Sequence, residues 1–195
     1  SSSFLTQLLT AFQEKNPLVS FTIYSGNSDN IKERIERGLL DVGLLQEPVD
    51  ISKYSFVRTP CREQWGVLVR EDSELASRER VSPADLASVP LILPEREIVQ
   101  NELLNWFGPY AEGLRITATG NLLYNLASLA RASAGSVLTL NLDCTYEGLR
   151  FIPLSPPLES NTVLVWKKTQ TFSAAAAALI EFSEKYISGM EQNLI

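Results

Sequence analysis

The feature that most constrains this chain is the way its apolar residues change period, from helical spacing to strand alternation and back, from one end to the other. Phe4, Leu5, Leu8, Leu9 and Phe12 recur at helical spacing, and Asn16-Pro17 stops that pattern. In LVSFTIY, residues 18–24, Val19, Phe21 and Ile23 share one face and Ser20 and Thr22 the other, which predicts a strand. The turn Ser25-Gly26-Asn27 leads to Ser28 as the N-cap of a short helix, with Ile31 and Ile35 on its apolar stripe and Gly38 at its close. DVGLL, residues 41–45, predicts a short buried strand, and a strand–helix–strand unit of this kind is expected to pair in parallel.

The alternation continues. Residues 65–69 read as extended and 71–80 as a polar stretch. Ser82-Pro83-Ala84-Asp85 starts a helix: a capping hydroxyl, a proline at the first helical position and an acid in the first turn. LIL (91–93) predicts a strand, and Pro94 a helix running to about Phe107, stopped by Gly108-Pro109. A strand over 115–119 precedes a helix over about 121–134, with Leu122, Leu126 and Leu129 on one face and Gly135 closing it. SVLTL (136–140), LRFIPL (149–154) and TVLVW (162–166) read as strands, and Ser173 caps a last helix that buries Ala176, Leu179 and Tyr186. Such alternation places the chain in the α/β class.

The chain has 195 residues, 45% hydrophobic and 21% charged, enough for a packed core in one domain or two small ones. Seventeen basic residues against 23 acidic ones leave a net charge of −6, which repels nucleic-acid backbones and anionic membranes. There is no histidine, which removes Ser-His-Asp and Cys-His nucleophiles, HExxH zinc sites and every His-ligated metal. Cys61 and Cys144 stand far apart without a CxxC pair, so unpaired thiols in a reducing compartment are expected. No catalytic residue, metal or cofactor is expected on these grounds. IKERIERG reads as a solvated helix face with Glu33 and Arg37 paired at i,i+4, and Trp65, Trp106 and Trp166 as core or interlobe residues. No apolar run reaches 18 residues and the N-terminus lacks the basic start of an export signal, so a cytoplasmic location is expected.

Four stretches carry a resemblance: LLTAFQEKNPLVSFTIYSGNSDNIKERIERGLLDVGLL, VSPADLASVPLIL, LASLARASAGSVLTL and VLVWKK. Their order and coverage resemble the effector-binding (substrate-binding) domain of LysR-type transcriptional regulators. The resemblance implies an α/β, two-lobed, periplasmic-binding-protein-like (type 2) fold with two crossing strands. Residues 1–66 and 161–195 would form lobe I and 67–160 lobe II, with a small effector bound in the cleft. It also implies a winged-helix DNA-binding domain upstream of these residues. Three departures stand out. The family's first strand has no counterpart ahead of the first helix; Ser133-Ala134-Gly135 stands where the family usually shows Gly-x-Gly; and Leu140 replaces the proline that normally ends that strand.

Ligands of open α/β sheets bind beyond the carboxyl ends of the strands, and helix starts there attract anions. Four starts qualify: Ser1 to Ser3, Asn27-Ser28, Pro94-Glu95-Arg96 and Gly120-Asn121. The candidate ligand-binding residues are accordingly Ser2, Ser3, Asn27, Ser28, Glu95, Arg96, Gly120 and Asn121. Gln46 joins them because some relatives carry a basic residue at the matching place, and Thr139 because its strand faces cleft or core. Ser28 resembles a hydroxyl position of family pockets, but serves equally as a helix cap.

The expected function is that of an effector-sensing domain binding a small metabolite, an organic anion, to control DNA binding and transcription. The alternative is a solute-binding protein of a transport system with the same fold. The expected partners are the effector and a second copy, in a homodimer built through helix one and the 18–24 strand. A tetramer is implied for the intact regulator, with DNA contacted only through the upstream domain and no membrane contact.

Overall fold

The computed structural model describes residues 2–142 and 144–192. The chain divides into two units, one made of the residues up to Arg62 together with those from Asn161 onward, the other of Glu63–Ser160. It passes between them twice, each time inside a strand.

In the first unit, α1 (Ser2–Lys15) buries Phe4, Leu8 and Phe12, spaced one turn apart on a single stripe. Their partners lie on α6 (Ala174–Gln192): Phe12 meets Phe182 edge-on at 5.5 Å between centroids, and Phe4 meets Tyr186 at 6.5 Å. Burying the three side chains contributes about 2 kcal/mol each. α1 ends where the Asn16 side-chain amide donates to the Phe12 carbonyl at 3.1 Å and Pro17 cannot continue the helix. Ser173 caps α6 as expected, accepting from the Ala176 N–H at 3.1 Å.

α2 (Ser28–Glu36) packs on β1 (Val42–Gln46). Gly43 makes this approach possible: a Cβ there would lie 2.7 Å from Ile31 Cγ2 and 2.9 Å from Ile35 Cδ1. The helix closes on Gly38 at φ 70°, with the Leu39 N–H donating to the Arg34 carbonyl at 2.9 Å. β1 pairs antiparallel with β7 (Glu159–Lys167), Val42 opposite Trp166 and Gln46 opposite Thr162. The buried Thr59 hydroxyl, on the first part of β2 (Tyr54–Arg70), hydrogen-bonds both the hydroxyl and the carbonyl of Thr162.

Residues 18–24 do not form the expected strand, and the expected parallel partner of β1 is therefore absent among the described residues. The alternation is real, but strand structure needs a second backbone to complete a ladder. Instead the Val19 N–H turns back to the Asn16 carbonyl, and Leu18 and Ile23 stand 99% and 65% exposed. Beside this run an apolar groove of about 580 Å3 is walled by Leu5, Leu9, Phe21 and Leu44.

The second unit is a sheet covered on both faces. β3 (Leu91–Pro94) pairs in parallel with β4 (Ile116–Gly120) on one side and β5 (Ser136–Leu140) on the other. The later part of β2 pairs antiparallel with β5 and with β6 (Leu149–Pro153). Successive residues of each strand enter different cores. Val67, Val69, Leu91, Leu93 and Leu138 join α3 (Pro83–Ala87) and α4 (Glu97–Phe107) through Leu86, Val99, Leu103 and Phe107. Leu68, Ile92 and Val137 meet α5 (Leu123–Arg131) through Leu126, Ala127 and Ala130. Burial on both faces is why these strands read as unbroken apolar runs.

α5 differs in detail from its reading in the sequence. Its buried face is Leu126, Ala127 and Ala130, while Leu122 and Leu129 are 55% and 39% exposed. Ser133 at φ 64°, not Gly135, takes the left-handed position at its end, and the Ala134 N–H donates to the Leu129 carbonyl at 3.0 Å. Ser82 and Asp85 form the capping box expected at α3. Trp65 and Trp166 are buried, and the half-buried Trp106 donates its indole N–H to the Pro156 carbonyl at 2.8 Å. Cys61 and Cys144 are both free thiols. No described helix is long and apolar enough to cross a membrane.

Candidate functional site

The structure places all the candidate residues but Ser2 and Ser3 in two groups, one in each unit. In the first unit the cap of α2 is Asn27, one residue earlier than expected. Asn27 accepts from the Asn30 N–H at 2.9 Å, and the Asn30 side chain reaches back to the Asn27 N–H at 3.3 Å. Ser28 is thus the first helical residue. It is buried, and its hydroxyl is bonded to the main chain of Gln46. The Gln46 amide donates to the Asn161 carbonyl at 3.2 Å, and the Glu47 N–H donates to the same carbonyl at 2.9 Å. Asn27, Ser28 and Gln46 are therefore brought together at the carboxyl end of β1. Ser3 is exposed on the first turn of α1 and is not joined to that group. The side chain of Ser2, like all of Ser1, lies outside the described residues.

In the second unit the parallel strands β4, β3 and β5 end side by side. Pro94 registers with Gly120, and the Glu95 N–H donates to the Gly120 carbonyl at 3.0 Å. Glu95, Arg96, Gly120 and Asn121 thereby meet at the carboxyl ends of β3 and β4, and Thr139 sits near the end of β5. Thr139 is buried and pairs with Gly66, its hydroxyl donating to the Leu140 carbonyl at 3.3 Å, so it belongs to the core more than to an open surface.

The helices that leave these strands begin later than the sequence suggested. α4 starts at Glu97 after Arg96, and α5 at Leu123 after Leu122; neither N-cap makes a side-chain hydrogen bond to its helix. The first intrahelical bonds fall on Val99 and Gln100 in α4 and on Asn125 and Leu126 in α5. The N–H groups of Glu97, Ile98, Leu123 and Tyr124 thus have no intrahelical partner. α2 and α3 close their first turns with capping boxes; α4 and α5 do not. Two uncapped helix dipoles on neighbouring parallel strands suit a small anion, with the half-buried Arg96 beside them. Sequence reasoning overlooked Gln100, whose amide donates to the Pro94 carbonyl at 2.7 Å and ties α4 to the strand end. A polar residue one turn into a helix was the only available signal. Among the described residues no cluster of acids and cysteines could hold a metal.

The family model of the LysR substrate-binding domain matches residues 1–187. The chain belongs to that family. The Bacillus subtilis protein described as an uncharacterized HTH-type transcriptional regulator, YwbI, is 23% identical over 197 residues, covering 95% of this chain and 63% of the relative. The regulatory domain of Synechocystis PCC6803 CcmR in complex with 2-PG aligns with a TM-score of 0.77 at 14% identity, covering 97% of this chain and 93% of that one. The effector-binding domain of QuiR in complex with shikimate aligns with a TM-score of 0.78 at 15% identity, covering 95% and 90%. The fold is accordingly the two-lobed, type 2 periplasmic-binding-protein-like fold of LysR effector-binding domains. The chain spans less than two thirds of the length of the curated regulators it matches.

Proposed function

We propose that this LysR-family domain is the effector-sensing part of a transcriptional regulator and catalyses nothing itself. Its ligand is a small organic anion, taken in the cleft that the family fold implies. The observation that carries the proposal is the pair of uncapped starts of α4 and α5 at adjacent strand ends. N–H groups without an intrahelical partner at two neighbouring helix starts favour a carboxylate or phosphate by an amount that burial increases. The ligands named for CcmR and QuiR, 2-PG and shikimate, are small molecules, and a ligand of that size suits this chain too. Binding would favour one conformation over another and pass that preference to DNA-binding arms outside these residues.

The domain works in the cytoplasm as a homodimer, with α1 and the exposed 18–24 run at the interface, and as a tetramer in the intact regulator. Calorimetry against a panel of small carboxylates, phosphorylated acids and aromatic acids tests the ligand assignment. A binder is expected whose affinity falls about 10-fold or more in Arg96→Ala, the scale of losing one charge-assisted hydrogen bond. Binders whose amide perturbations avoid residues 95–98 and 120–124 would overturn it.

A further inference from the structure

We infer that the second unit holds a separate ligand site, for a small neutral polyol, at the opposite end of its parallel strands from the α4 and α5 starts. A cavity of about 990 Å3 lies there, between the end of β2, the turn Glu74–Ser77, α3 and the loop from α5 into β5. β3 enters beside it at Pro90 and leaves toward the anion-attracting helix starts at Pro94, so the two places share no residue.

Charge argues against an ion. Arg70 and Arg78 line the cavity, but each is already engaged. Arg70 grips both carboxylate oxygens of Asp72, at 2.8 and 2.5 Å, and donates to the Arg131 carbonyl at 2.8 Å. Arg78 lies 3.3 Å from the carboxylate of Asp85, which with Glu74 completes a lining of two cations and two anions. An incoming charge of either sign meets as much repulsion as attraction.

Hydroxyls argue for a polyol. Five serines line the space. Ser77 and Ser88 donate to the Glu74 and Asp85 carbonyls, at 2.8 and 3.0 Å, which leaves their oxygens as acceptors. Neutral acceptors match the O–H donors of a ligand made of hydroxyls, and Leu75, Val89 and Pro90 offer the apolar wall for its C–H face.

An amide-resolved NMR titration of the 195-residue chain with myo-inositol and glucose tests the site, with acetate and inorganic phosphate as controls. Polyols are excluded from protein surfaces and stabilise proteins in general, so a saturating, localised response is required rather than a thermal shift. Saturating shifts are expected at residues 73–78 and 133–136 with a polyol and not with the controls. Ala84→Trp, at an exposed position on the α3 wall, puts an indole into the cavity and should weaken those shifts with its unfolding midpoint kept. Ser77→Ala, at an exposed lining position, should weaken binding about 3- to 10-fold, the loss of one neutral hydrogen bond. Shifts that rise linearly and everywhere, that saturate only with phosphate, or that survive both substitutions would overturn the inference.

Discussion

The Ser28 hydroxyl accepts from the N–H of Gln46 and donates to the carbonyl of the same residue, both at 3.2 Å. A side chain in the first turn of α2 thereby satisfies both main-chain groups at the end of β1, as a neighbouring strand would. The proton of this buried hydroxyl is committed within the protein, and the pair of bonds holds the start of α2 against the strand end.

Ser28→Ala should therefore cost stability whether or not ligand is present. Two main-chain groups lose their partner, at about 1–2 kcal/mol in total. Urea unfolding of the domain reads this as a lowered midpoint at unchanged slope. A midpoint equal to that of the parent would show that water replaces the hydroxyl at no cost.

Gly66 sits under Phe151 and Ile152 of the neighbouring strand β6. A Cβ at this position would lie 2.2 Å from Phe151 Cζ and 2.5 Å from the Ile152 carbonyl oxygen, and main chain cannot swing aside. Gly66→Ala should destabilise by about 3 kcal/mol, the upper part of the overpacking range. Gly113→Ala is the matched control, since a Cβ there meets nothing within 4 Å, and it should leave the midpoint in place.

Two carboxyls give stability opposite dependences on pH. Burial pushes the Glu102 carboxyl above its ordinary value, and its Oε2 has no hydrogen-bond partner. The folded state thus holds this proton more tightly than the unfolded state, and the group lowers stability once pH rises through its ordinary range. Glu102→Gln should raise the unfolding temperature near pH 7, with the gain shrinking toward about pH 4.

Asp85 runs the other way. Hydrogen bonds from the Ser82 side chain and backbone hold its carboxyl below the usual range, with Arg78 adding a smaller pull. Its contribution is complete above the unfolded-state value and is lost as pH falls through the folded-state value. Asp85→Asn should remove that part of the acid sensitivity, read from thermal unfolding across the acid range.

Dimerisation is the fifth point of test. Leu18, Ile23 and Tyr24 form an exposed apolar run beside α1. Sedimentation should find a dimer that Ile23→Glu converts to monomer without unfolding it; a parent chain that stays monomeric at high concentration contradicts the interface.

Where a segment carries its own signal, the sequence was readable. The Ser82–Asp85 box, the Gly38 close of α2 and the doubly buried runs 91–93 and 136–140 are set by neighbouring residues, and each appears as expected. The failures need information from farther away. The 18–24 run has the right alternation, but no neighbouring backbone completes its ladder among the described residues. β2 extends back to Tyr54, beyond the apolar 65–69 run, because its earlier part is held by distant partners such as Thr162. At the candidate site, the strand ends and helix starts were legible within three residues, the start of α4 being the farthest out. That α4 and α5 lack side-chain caps, while Ser28 turns its hydroxyl to Gln46, was not, because each depends on where a side chain points rather than on which residue it is.

The unit from Glu63 to Ser160 is one unbroken stretch of chain, whereas the other is assembled from residues on both sides of it. During synthesis the inner unit has every residue it needs as soon as Ser160 has left the ribosome. The outer one must wait for β7 and α6, with the apolar stripe of α1 uncovered until α6 emerges.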